Sequence, residues 1–127
     1  MSSLPRVLAA ALLLGAPLPA VAGDAARGER VFQYCYSCHS VQPGETNLQG
    51  PNLAGILGRP IAAQEGFDYS PAMQAFAARE EVWSQELLDR FIAAPEEVVP
   101  RTSMDWRGLD DASERADLIA YLRAASP

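Results

Sequence analysis

The amino-acid sequence predicts an all-α fold, and three observations carry that prediction. Residues suited to cap helices stand ahead of four separate helix-forming stretches, no segment alternates apolar and polar residues as a half-buried strand would, and the connections are rich in glycine and proline. A chain of 127 residues with 49% hydrophobic and 20% charged content is that of one ordinary globular domain.

The elements follow in chain order. Residues 1–22 are set apart as a secretory signal: Arg6 gives a basic start, Val7 to Ala16 is an apolar run, Pro17 and Pro19 break it, and Ala20-Val21-Ala22 has the small-x-small form of a cleavage site. The apolar run is shorter than the ~20 residues needed to span a bilayer, so cleavage is expected rather than a retained anchor. That leaves 23–127 as a single domain with no stable membrane insertion. Asp24 is placed to cap a helix through about Tyr34; Gly28 lies inside it, where glycine costs ~1 kcal/mol relative to alanine and suggests close approach of another element. Gly44 to Gly66 reads as a long irregular loop that something must hold. Ser70-Pro71 opens a short helix through about Phe76. Ser84 caps Glu86 to Ala93, with Trp83 and Leu88 at the positions of a hydrophobic staple, and Pro95 and Pro100 end that helix. Asp111 and Glu114 introduce a last helix whose Leu118, Ile119, Tyr121 and Leu122 form an amphipathic stripe.

Charge excludes some partners. Without Arg6, nine basic residues face sixteen acidic ones; all the basic residues are arginines, and the acids concentrate after Glu80. Such a surface repels phosphate backbones and gives no reason to dock on anionic lipid.

Four short helices bury little apolar surface by themselves, so the centre needs another occupant. Cys35-Tyr36-Ser37-Cys38-His39 contains both cysteines and the one histidine of the chain. A Cys35–Cys38 disulfide would close only a tiny loop, zinc would want four ligands where at most three are offered, and a thioredoxin-like pair would want a βαβ context. Covalent haem accounts for all three residues: the thiols of Cys35 and Cys38 add to the two vinyl groups, and His39 reaches the iron from the same side. A second histidine is not available for the opposite axial position. Met1 leaves with the signal, Met73 sits in a short helix where a methionine ordinarily packs, and Met104 sits in an irregular loop with no helix face to pack on. Met104 is therefore assigned to the iron.

With these residues in hand, the sequence resembles the class I cytochromes c, the bacterial cytochromes c2 and mitochondrial cytochromes c among them. The resemblance runs through Gly28, Phe32, Cys35, Cys38, His39, Gly50-Pro51-Asn52-Leu53, Gly58-Arg59, Tyr69-Ser70, Trp83, Pro95, Pro100, Thr102, Met104 and Gly108 to Asp117-Leu118-Ile119-Ala120-Tyr121-Leu122. Phe32 stands one residue nearer the first cysteine than in mitochondrial proteins, which points to the bacterial branch. The resemblance implies short helices and loops wrapped around one haem c, with the first helix crossing the last, Gly28 and Phe32 meeting Leu118 and Tyr121. It implies that the Pro51 carbonyl accepts the second imidazole N–H of His39. It implies further that Arg59, Tyr69 and Trp83 donate to a buried propionate, and that Thr102 contacts the cofactor.

The sequence also departs from the family's pattern. Phe91 stands where many relatives have a tyrosine bonding the methionine sulfur, Met73 where an asparagine often serves the propionate, Arg101 where glycine is common, and Trp106 where a phenylalanine lies near the haem edge. Glu96 and Glu97 occupy positions of mitochondrial lysines, so the lysine ring used for docking is missing; Arg27, Arg30, Arg101 and Arg107 could form only a smaller positive patch. The function implied is that of a periplasmic one-electron carrier of a Gram-negative bacterium, monomeric, exchanging electrons with redox proteins and binding no nucleic acid. A haem enzyme or gas binder would need an open iron position and usually a distal acid or base, for which carboxylates such as Asp105 are the available groups; a permanently docked subunit of a larger redox enzyme would read the same in sequence.

Overall fold

The computed structural model describes residues 22–127 together with Met1, Ser2, Leu4 and residues 10–16. Half of the expected signal, including Ala20 and Val21 of its cleavage site, lies outside the described residues.

Asp24 caps the first helix, α1 (Ala25–Val31), its carboxylate accepting from the Arg27 N–H at 2.7 Å; the chain then tightens into a 3₁₀ turn at Phe32–Tyr34. Ser70 caps α2 (Pro71–Ala77) through the Met73 N–H, and Ser84 caps α3 (Gln85–Ala93) through the Leu87 N–H. Each hydroxyl supplies an acceptor to a first-turn N–H that has no partner within its helix. Asp111 does the same for α5 (Ala112–Ala124), accepting from Glu114 N–H at 3.0 Å.

One element was not anticipated. Pro95 ends α3 as expected, and it also begins a one-turn helix, α4 (Pro95–Val98). Ala94, forced by the following ring into an extended conformation (φ −157°, ψ 81°), breaks the first helix; proline's fixed φ then suits the first position of the next.

The molecule is organised around the crossing of α1 and α5. A Cβ on Gly28 would lie 1.9 Å from the Asp117 carbonyl oxygen and 2.7 Å from Tyr121 Cβ, so the helix cost of glycine is what allows the two backbones to meet. The Phe32 and Tyr121 rings pack with centroids 5.5 Å apart. The expected neighbour Leu118 is fully buried, while the backbone of Asp117 provides the contact with Gly28. Asp117 itself is buried and accepts from Asp24 N–H (2.7 Å) and from Arg27 Nε (2.9 Å) and Nη2 (3.2 Å), closing the crossing with charge-assisted hydrogen bonds. Among the described residues the only β-type pairing is an isolated antiparallel bridge between Pro60 and Val82, and no helix is long and apolar enough to cross a membrane.

Candidate haem site

Cys35, Cys38 and His39 are brought together by the turn that follows α1. Cys35 N–H and Tyr36 N–H donate to Phe32 O, and Cys38 N–H and His39 N–H donate to Cys35 O at 3.1 and 2.9 Å. This helical curl carries the two thiols and the imidazole to the wall of one cavity of about 450 Å3. Both thiols are free and half-buried; burial, reinforced by the neighbouring Cys38, pushes the Cys35 thiol up to about 11.

The segment Gly50 to Leu53 clamps the imidazole. Gly50 N–H donates to Cys38 O at 2.7 Å, and a Cβ on Gly50 would stand 2.3 Å from His39 Cε1, so only glycine lets the backbone lie flat against the ring. His39 Nδ1 lies 2.7 Å from Pro51 O and must donate to it, since a carbonyl can only accept. Nε2 is thereby left as the unprotonated nitrogen, without a hydrogen-bond partner among the described residues. Burial lowers the His39 pKa, the Pro51 carbonyl partly offsets this, and the positive charge of Arg59 lowers it again; the net direction favours the neutral imidazole that a metal requires.

Arg59, Tyr69 and Trp83 line the same cavity, on loops distant in sequence. Trp83 N–H donates to Arg59 O at 3.0 Å and Gly58 N–H to Trp83 O at 2.8 Å, which fixes the arginine and tryptophan side by side. Arg59 is half-buried and, among the described residues, the only hydrogen bond of its side chain is a long one of 3.4 Å to Ala54 O; burial pulls its guanidinium down from the usual arginine value. Among the described residues no carboxylate lies within ion-pair distance of it. Tyr69 Oη accepts from Gln64 N–H at 3.0 Å and keeps its own proton to donate. A half-buried cation with no carboxylate in ion-pair distance, a phenol and an indole facing one cavity suit a carboxylate delivered by a bound group.

Met104 reaches the cavity from the loop after α4. Thr102 N–H donates to Val99 O, Thr102 Oγ1 accepts from Met104 N–H at 3.3 Å, and Trp106 N–H donates to Met104 O at 3.0 Å, a succession of tight turns that presents Thr102, Met104 and Trp106 to the cavity together. Met73 lines it as well, packed against the core from α2. The remaining walls are apolar, with Leu53, Ile56, Leu88, Phe91, Ile92 and Leu118 among them. The residues expected from sequence thus converge on one cavity: two thiols and an imidazole along one stretch, a thioether from another, donors to a carboxylate, and apolar walls between. These are the requirements of a covalently held amphiphilic macrocycle containing a metal.

A family model described as Cytochrome c matches residues 25–126. The chain belongs to the cytochrome c family. It is 39% identical over 112 residues to cytochrome c2 of Blastochloris viridis, covering 88% of this chain and 86% of that protein. It is 40% identical over 108 residues to cytochrome c of Guizotia abyssinica, covering 84% of this chain and 95% of that protein. The solved structure of cytochrome cH from Methylobacterium extorquens superposes with a TM-score of 0.72 at 35% identity, covering 80% of this chain and 98% of that one. The all-α class I cytochrome c fold expected from the sequence is therefore the fold observed. Cytochromes c are electron-transfer proteins rather than enzymes, and this one carries one haem c through its two cysteines, Cys35 and Cys38.

One residue at this site escaped the sequence reading. Gln64 does not touch the cavity, yet its Oε1 accepts from Asn52 N–H at 2.7 Å and its backbone donates to Tyr69. Nothing in the run Ala62-Ala63-Gln64-Glu65 signals this, because both partners are brought to it only by the folded loop.

Proposed function

We propose that this cytochrome c is a periplasmic one-electron carrier with His39 and Met104 as the axial ligands of its haem iron. In this reading residues 1–22 are a cleaved export signal and 23–127 a single monomeric domain. The observation that carries the ligand assignment is the bond from His39 Nδ1–H to Pro51 O, which leaves Nε2 as the basic nitrogen at the wall of a cavity that Met104 also lines. When bound, the haem supplies an iron that gains or loses one electron. The protein's part is to keep that change cheap. Pro51 holds the imidazole tautomer, Arg59, Tyr69 and Trp83 offset a buried propionate, Thr102 holds the Met104 turn, and the apolar walls exclude water. Methionine opposite histidine favours the higher range of haem potentials. Docking on redox partners proceeds without a lysine ring, through apolar contact near the haem edge, where Trp106 and the exposed Tyr34 line the cavity mouth.

The test is the visible spectrum of the ferrous protein before and after carbon monoxide, on the wild type and on Met104→Ala. The wild-type α band should be that of covalent haem and unchanged by the gas, and the variant should form a carbonyl complex. Rapid conversion of the wild type would mean an open or labile sixth position and a ligand-binding role.

A further inference from the structure

The peptide between Pro51 and Asn52 is hydrogen-bonded at both ends. Its carbonyl accepts the proton of His39 Nδ1 at 2.7 Å, and its N–H donates to Gln64 Oε1 at 2.7 Å. An amide that donates through its N–H becomes a stronger acceptor at its oxygen, because the two bonds polarise the same π system and strengthen each other by ~10–30%. The orientation of Gln64 is determined by this contact, since a flipped amide would set its NH2 against the Asn52 N–H, donor against donor. In the observed orientation Gln64 Nε2 is buried with no partner among the described residues. A buried donor left in this way costs stability. Its retention is explained if what matters is the acceptor at the other end of the same amide.

We propose that Gln64 is a positioning residue for the haem iron, acting through the Pro51-Asn52 peptide to strengthen the His39 Nδ1–H hydrogen bond and lower the reduction potential. The ring of Asn52 contacts supports this role. Asn52 Nδ2 donates to Gln42 O (2.7 Å) and Glu45 O (2.9 Å) and its Oδ1 accepts from Ala54 N–H (2.8 Å), so the peptide is held in place by the Asn52 side chain and is free to respond electronically to Gln64. A stronger bond at Nδ1 gives the imidazole more imidazolate character, which favours ferric iron. Gln64 N–H also donates to Tyr69 Oη, so one residue ties the proximal side of the cavity to the loop carrying a propionate donor.

The inference rests on His39 being an iron ligand, and the experiment separates the two. In the ferrous holoprotein, nuclear magnetic resonance of the His39 ring reports ligation through its haem ring-current shift and reports the hydrogen bond through the Nδ1–H proton. Absence of the ring-current shift in the wild type would overturn the ligand assignment. With ligation established, Gln64→Leu should move the Nδ1–H proton upfield and raise the potential, changing the reduction equilibrium constant on the order of two- to ten-fold. Gln64→Glu, which keeps an acceptor, should restore the proton shift toward wild type. Gln64→Met serves the same comparison should the leucine variant not yield holoprotein. Loss of thermal stability with the Nδ1–H shift and potential unchanged would reduce Gln64 to a structural residue and overturn the proposal, as would equal shifts in the Leu and Glu variants.

Discussion

Arg101 occupies a backbone position that an L side chain rarely adopts, with φ +66°, at the turn leading into Thr102 and Met104. The family resemblance leads to glycine at this position, and the structure supplies the reason: left-handed backbone costs a residue with a Cβ ~1–2 kcal/mol. The conformation is held by Glu96 Oε1, which accepts from Arg101 N–H at 2.9 Å, and that bond does not involve the arginine side chain. Arg101→Gly should therefore stabilise the holoprotein by about 0.5–1 kcal/mol in denaturant unfolding, relief of strain exceeding the entropy cost of glycine. Arg101→Ala should leave stability nearly unchanged, because it keeps the Cβ. The strain was not readable from Pro100-Arg101-Thr102 alone, since no local rule places an arginine in a left-handed turn.

The contact of α1 with α5 tests whether a helical glycine is a defect or a requirement. At an exposed helix position Gly→Ala stabilises by ~1 kcal/mol. Here a Cβ would stand 1.9 Å from a backbone oxygen, which cannot swing away as a side-chain tip could. Gly28→Ala should reverse the sign and destabilise by about 1–3 kcal/mol, the usual cost of overpacking. The same crossing has a pH signature. The Arg27 guanidinium, followed by Asp24 N–H, holds the Asp117 carboxyl below the usual carboxylate value. A depressed folded-state pKa contributes stability that is fully present above the unfolded value of ~3.9 and is lost as pH falls through the folded one. Asp117→Asn should therefore flatten the acid limb of the stability curve below about pH 4 while lowering stability at neutral pH. The helices themselves were legible locally: Asp24, Ser70, Ser84 and Asp111 each cap where sequence placed them. The one-turn α4 was not, because Pro95 serves equally as a stop for one helix and a start for the next, and only the packing of buried Pro95 and Val99 chooses.

Across the whole molecule, charge is distributed against long-range steering toward acidic partners. Sixteen acidic residues face ten arginines and there is no lysine. Screening by salt weakens attraction between exposed charges over a Debye length of ~10 Å at 0.1 M, whereas apolar contact is insensitive to it. The bimolecular rate of electron transfer to the natural partner should change by less than about three-fold between low and moderate ionic strength. A steep fall with salt would show that Arg27, Arg30, Arg101 and Arg107 act as a cationic docking patch after all. By itself the sequence determined the helix caps, the need for a central group and the motif that attaches it, because each rests on chemistry carried within a few residues: a side-chain oxygen three positions before an N–H, two thiols beside an imidazole, a lone histidine. Only the tertiary structure decided what those residues face. The pairing of Arg59 with Trp83, the fit of Gly28 to Asp117 and the reach of Gln64 to the peptide behind His39 join segments far apart along the chain, and such contacts arise from packing around a shared centre that no local pattern encodes.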